Sequence, residues 1–261
     1  MSPPAASPPQ PPAARPLVVL LPGLDGTGLM FGPFVEALGR AAFEARVVRY
    51  PVALTSYPAC IHFARTLLPR DRPFLLLGES FSGPVALALA AEKPENLVGL
   101  VLCGTFARNP RPGLRWLAPL LGILPGRLPL FLIRFLLLGR WATEPLMEQV
   151  QALLPQVPAG SLKSRLRSVV AVDETPLLAP LRVPTLALVA AHDRLVPPAA
   201  TEWLRANLPN LDIMRLQGPH WLLQTRPDAA AKAIRDFLDR LPKPQPIPLE
   251  SLAAAETDQP R

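Results

Sequence analysis

An α/β fold is predicted: a mostly parallel sheet of about six strands with helices on both faces and an inserted helical cap. Two observations carry this. Short, continuously apolar runs alternate with segments of helical period up to residue 106 and again from residue 184, with a Leu- and Pro-rich stretch between them. The second observation is the turn Gly78-Glu79-Ser80-Phe81-Ser82-Gly83. The apolar run Phe74-Leu75-Leu76-Leu77 enters it, as a strand buried on both faces should, and Pro84-Val85-Ala86-Leu87-Ala88-Leu89-Ala90-Ala91 leaves it. Pro84 stands where the first turn of a helix tolerates it. A serine between such a strand and such a helix suits a sharp turn that lifts its hydroxyl clear of the sheet edge. In that turn positions 78 and 82 are expected to have little room for a side chain.

In chain order, residues 1–16 are Pro- and Ala-rich, with neither a basic start nor an apolar stretch, and read as a disordered leader rather than a signal peptide. Leu17-Val18-Val19-Leu20-Leu21 is the first strand, ending in the glycine-containing loop Pro22-Gly23-Leu24-Asp25-Gly26-Thr27-Gly28. Such a loop can turn backbone N–H groups into a cavity, or serve as a plain strand-to-helix turn. A helix is expected over 31–40 and a second strand over 46–50. Ser56 caps the next helix, with Pro58 in its first turn and Cys60, Ile61, Ala64, Leu67 and Leu68 on one face. The strand and helix around Ser80 follow, then a strand over 97–103.

Residues 17–106 and 181–241 form the expected core, and 107–180 the expected cap. Residues 114–139 are apolar enough to raise a membrane span. However, Arg115, Arg127 and Arg134, with Pro119, Pro125 and Pro129, interrupt the run below the length a bilayer requires. Strands resume over 184–190, ending at His192-Asp193, and over 211–216, ending at Gly218-Pro219-His220. A helix over 227–241 buries Ala230, Ile234, Phe237, Leu238 and Leu241, and 242–261 reads as a disordered tail.

At 261 residues the chain suffices for one large domain, and 49% apolar residues make it globular. Its formal charge of +7 comes almost wholly from scattered arginines, which read as a solvated basic surface rather than a site for a specific anionic partner and argue against a dedicated nucleic-acid face. Cys60 and Cys103 fall on a predicted helix and strand and read as small apolar core residues of a reduced, cytoplasmic protein. No metal cluster, phosphate loop or dinucleotide fingerprint is present, so no cofactor or metal is expected.

Ser80, Asp193 and His220 thus stand at the carboxyl ends of three strands, the edge where open parallel sheets place their ligands. With this Ser, Asp, His order, and with an insertion ahead of the Asp-bearing strand, the chain resembles the α/β-hydrolase superfamily over residues 17–241. Leu21-Pro22-Gly23-Leu24-Asp25-Gly26-Thr27-Gly28 and Gly78-Glu79-Ser80-Phe81 are similar to bacterial hydrolases of poorly defined substrate and to the hydrolase-like portion of plant phytyl ester synthases. Two departures are visible: Pro22-Gly23 replaces the usual His-Gly, and Ser82 stands where a Gly is usual. Two outer N-terminal strands of the larger fold are also expected to be absent, which gives the sheet of about six strands.

The resemblance implies a cofactor-independent serine hydrolase of carboxylic esters or thioesters. Ser80 would be the nucleophile, His220 the base and Asp193 the group orienting the imidazole. Backbone N–H groups of Leu24 and Phe81 would form the oxyanion hole. A serine at 80 disfavours the dehalogenase and epoxide hydrolase branches, which use aspartate there. Leu117, Leu120, Leu121, Phe131, Leu132 and Phe135 are expected to line an apolar acyl pocket, with weak membrane-surface contact through the cap as a further expectation. Trp221 reads as core or as a substrate wall, His192 and His62 as solvated, Asp173 as a capping acid, and Glu79 as a residue packed behind the turn. An acyltransferase using the same triad and an alcohol acceptor stays open, as does a non-catalytic ligand carrier on this scaffold. Oligomeric state is not legible.

Overall fold

The computed structural model describes residues 15–113, 116 and 128–241. Its strands are β1 (Leu17–Leu21), β2 (Ala45–Val47), β3 (Phe74–Glu79), β4 (Leu97–Cys103), β5 (Thr185–Ala190) and β6 (Leu211–Leu216). They form one six-stranded sheet in the order β2-β1-β3-β4-β5-β6. Every neighbouring pair is parallel. Strands β1 and β3 are buried throughout, which explains why they read as unbroken apolar runs.

Helices cover both faces. Leu17, Val19, Leu21, Leu76 and Leu102 point toward α2 (Tyr57–Thr66), α3 (Gly83–Ala91) and α8 (Pro198–Asn207). The alternate residues Val18, Leu20, Leu75, Leu77 and Val101 pack with α1 (Gly32–Arg40), α9 (Leu222–Thr225) and α10 (Pro227–Arg240). Ser56 caps α2, its Oγ accepting from Ala59 N at 3.4 Å.

One strand is shorter than expected. β2 ends at Val47 rather than at residue 50 because the Tyr50 N–H leaves the ladder and donates to the carbonyl of Gly26 at 2.8 Å. The chain beyond β2 is thereby tied to the loop after β1.

Between β4 and β5 the described residues form α4 (Leu130–Ile133), a π-helical turn (Arg134–Leu138), α5 (Glu144–Leu153), α6 (Ala159–Ala171) and α7 (Thr175–Leu178). An isolated antiparallel bridge, Arg108 to Asp173, closes the base of this segment. Asp173 caps the turn into α7, accepting from Thr175 N at 3.0 Å. Ile133, Leu138, Leu146, Val150, Leu153 and Val157 make a separate apolar cluster, seated on Met30 and Trp221. Leu117, Leu120 and Leu121 lie outside the described residues, as does most of the run first weighed as a membrane span. Among the described residues no helix is long and apolar enough to cross a membrane.

Candidate active site

Ser80 sits at the step from β3 to α3, where a short 3-10 turn, Ser80–Ser82, intervenes. Its φ is +49°, a conformation that costs a non-glycine residue energy and that only tight surroundings sustain. Those surroundings are visible. A Cβ on Gly78 would come 2.6 Å from the carbonyl of Ser82, and one on Gly83 would come 1.9 Å from Thr105 Oγ1. Thr105 uses that hydroxyl to donate to the carbonyl of Ser80. The restricted positions are therefore 78 and 83, not 78 and 82. Ser82 is accommodated, fully buried, because its hydroxyl has partners: it donates to the carbonyl of Pro22 at 2.5 Å and lies 3.0 Å from the hydroxyl of Tyr50.

The other two polar candidates converge on Ser80. His220 is 3% exposed, and its Nε2 lies 2.9 Å from Ser80 Oγ. Its Nδ1 lies 2.8 Å from Asp193 Oδ2. A carboxylate only accepts, so Nδ1 carries the ring proton and Nε2 is left to accept from the serine. The second oxygen, Asp193 Oδ1, accepts from the backbone N–H groups of Leu195 and Val196, both at 2.8 Å. The loops after β5 and β6 are also pinned together, His192 N donating to the carbonyl of Gly218 at 3.0 Å.

The loop after β1 forms the opposite wall. Gly26 N donates to the carbonyl of Gly23 at 3.0 Å, closing a four-residue turn. Such a turn leaves the N–H groups of its central residues, here Leu24 and Asp25, outside its own hydrogen bond. Phe81 N lies in the first turn after β3, where amides have no partner within the helix.

Glu79, the residue before the serine, is 5% exposed and accepts from Gln224 Nε2 at 3.0 Å. Burial pushes its pKa up to about 7; the Gln224 hydrogen bond, the His220 charge and the Gly23 N–H oppose the rise, and Asp25 adds to it. Its carboxyl packs beneath the loop of Gly23, behind the serine.

The remaining candidates are placed elsewhere. His192 is exposed, lies 3.1 Å from Gln217 Oε1 and meets the ring of Trp141 at a 45° tilt with ring centroids 5.0 Å apart. His62 is exposed on α2. Trp221 packs against the inserted helices, and its backbone N–H donates to the carbonyl of Leu137 at 3.1 Å. Phe131 and Phe135 are 69% and 55% exposed, while Leu132 is half-buried. Phe135, Trp141, Arg194 and Pro219 line a cavity of about 380 Å³ that reaches Asp193. Cys60 and Cys103 are buried and free. No group of metal-binding side chains occurs among the described residues.

Thr105, Tyr50, Gln224 and Arg165 also shape the site, and none of them was singled out from the sequence. Arg165 departs from the solvated surface assigned to the arginines: it is 1% exposed.

Known proteins resemble the chain in sequence and in fold. The chain is 28% identical over 176 residues to phytyl ester synthase 1, chloroplastic, from Arabidopsis thaliana, covering 64% of this chain and 24% of that one. It is 30% identical over 268 residues to polyketide synthase ThaQ from Burkholderia thailandensis, covering 92% of this chain and 12% of that one. The chain thus spans a small part of the length of either relative. In fold it is similar to a thermophilic esterase from Thermogutta terrifontis, with a TM-score of 0.69 and 22% identity, covering 87% of this chain and 90% of that one. The model of the alpha/beta hydrolase family matches residues 18–233. With that match over most of its length, the chain belongs to the alpha/beta hydrolase family.

Proposed function

We propose that the protein is a serine hydrolase that cleaves carboxylic esters or thioesters with an apolar acyl group. One observation carries this: the continuous hydrogen-bonded line from Ser80 Oγ through His220 to Asp193, with steps of 2.9 and 2.8 Å. The hydroxyl is a weak nucleophile until its proton is taken, and His220 Nε2 is placed to take it as Oγ attacks the acyl carbon. The proton then passes from Nε2 to the departing alcohol or thiol, leaving an acyl group on Ser80. Water repeats the sequence: His220 takes its proton, the acid is released and Ser80 regains its hydrogen. Asp193 holds the tautomer and stabilises the imidazolium, and its own orientation is set by the amides of Leu195 and Val196.

Charge developing on the attacked oxygen would be met by the N–H groups of Leu24 and Phe81. Removing one donor of this kind costs roughly 3 kcal/mol of barrier. The apolar acyl group is inferred from the Leu- and Phe-rich sequence of the inserted segment; of its described residues, Phe135 lines the cavity beside Asp193 together with Trp141, Arg140 and Arg194.

An acyltransferase is the second reading, supported by the similarity to a protein named a phytyl ester synthase. It uses the same triad, an alcohol replacing water in the second half.

A p-nitrophenyl ester series from acetyl to dodecanoyl, run with and without a long-chain alcohol, tests both. Each buried CH₂ is worth about 0.8 kcal/mol, or roughly fourfold in affinity, so kcat/KM should climb with chain length until the site is filled. A profile that is flat or falls from acetyl onward contradicts the apolar acyl group. Product ester formed at the expense of free acid favours transfer.

A further inference from the structure

Helix α6 contributes one side chain to the underside of the catalytic edge. Arg165 is 1% exposed, yet among the described residues no carboxylate lies within ion-pair distance of it. Its donors go to backbone carbonyls instead. Nη1 donates to Leu24 O at 3.1 Å and to Asp25 O at 2.6 Å, Nε to Leu54 O at 3.0 Å, and Nη2 to Pro51 O at 3.4 Å. The guanidinium also sits 5.9 Å from the ring of Tyr50, whose own N–H holds the carbonyl of Gly26.

The fit is close enough that a side chain at residue 26 would displace the guanidinium. Gly26 has φ +75°, and a Cβ there would lie 2.3 Å from Arg165 Nη1. Burying a cation without a paired anion is expensive, and hydrogen bonds to carbonyls recover only part of that cost. An apolar side chain of similar volume would avoid that cost but would leave the carbonyls of Leu24, Asp25, Leu54 and Pro51 without this donor. What the guanidinium uniquely provides is a planar fork that fixes several carbonyls at once.

Those carbonyls belong to the turn that carries the Leu24 N–H. With the carbonyls of Leu24 and Asp25 held by Arg165, Gly26 O by Tyr50, and Pro22 O by Ser82, the peptide planes around Leu24 have little freedom to rotate. The same inserted segment touches the other side of the site, where Leu137 O accepts from Trp221 N beside His220.

We propose that Arg165 is a positioning residue, which ties the inserted helices to the turn at Leu24 so that its N–H is fixed toward the developing oxyanion. This rests on the serine-hydrolase reading above. The predicted effect is on the transition state rather than on substrate binding.

The test compares wild type, Arg165→Met and Arg165→Lys in the full chain, with p-nitrophenyl butyrate as substrate. Two ligands separate the states: trifluoromethyl hexyl ketone, which adds Ser80 Oγ to its carbonyl and forms an oxyanion, and methyl hexyl ketone, which serves as the unreacted analogue. In Arg165→Met, kcat should fall roughly ten- to a hundredfold, less than the 10²–10³ of losing a donor outright. KM should stay within about twofold and the trifluoromethyl ketone should weaken in step with kcat, while methyl hexyl ketone is unaffected. Arg165→Lys keeps the charge but not the fork and should recover only part of the rate; it carries the comparison if Arg165→Met does not fold. Unchanged kcat and trifluoromethyl ketone affinity in a folded variant overturn the proposal, as does a loss carried wholly by KM. A wild-type protein that neither turns over the ester nor binds the trifluoromethyl ketone overturns the hydrolase reading instead.

Discussion

The Ser82 hydroxyl donates to the carbonyl of Pro22 at 2.5 Å, joining the turn that carries the nucleophile to the loop after β1. Tyr50 completes the arrangement, its hydroxyl 3.0 Å from Ser82 Oγ. The site is fully buried, so neither partner has water as a substitute. Ser82→Ala should therefore destabilise the fold by about 1–3 kcal/mol, the cost of leaving buried polar groups unpaired. The measurement is the urea midpoint at constant m. A variant as stable as wild type would show that the hydroxyl merely fills space.

Glu79 gives the fold a pH dependence of definite sign. Its folded pKa of about 7 stands above the ordinary 4.5 because burial opposes the charge. Between those values the native state keeps a proton that the unfolded chain has released. Stability contributed by Glu79 is thus complete at low pH and declines as pH rises toward 7, by roughly 3 kcal/mol in all. Glu79→Gln should flatten this decline while keeping an acceptor for Gln224. Unfolding free energies across that range, wild type against variant, decide it; parallel curves would place the slope elsewhere.

Two aspartates provide an internal control. Asp193 faces His220, whereas exposed Asp173 only caps Thr175. Asp193→Asn should favour the wrong imidazole tautomer and lower kcat by roughly 10⁴-fold, and Asp173→Asn should leave it nearly unchanged. Esterase kinetics at fixed pH distinguish them, and the reverse ranking would mean the acid is misassigned.

Much of this was legible in the sequence for identifiable reasons. Strands β1 and β3 are buried on both faces and so appear as unbroken apolar runs, and β5, which is nearly as covered, reads the same way. Ser80, Asp193 and His220 could be picked out because each lies just beyond the carboxyl end of a strand, and those ends share one edge of a parallel sheet. Arg165 could not. It lies in Ser164-Arg165-Leu166-Arg167, which looks like an ordinary exposed helix face, and its partners are backbone carbonyls that any residue supplies. Ser82 was visible only as a departure from a usual glycine, because sequence spacing does not reveal that Pro22 and Tyr50 lie beside it. The close contact at Gly83 depends on Thr105, and nothing local announces a residue that distant in sequence.

Ser80 as the nucleophile is tested most directly by the hydrolysis rate of p-nitrophenyl butyrate by Ser80→Ala. The substitution removes the attacking oxygen and one hydrogen bond to His220, so the far-ultraviolet circular dichroism should match wild type. The rate should fall by about 10⁴-fold or more, leaving only what bound water can achieve in the same site. A folded Ser80→Ala protein that keeps half the wild-type rate would contradict the proposed mechanism.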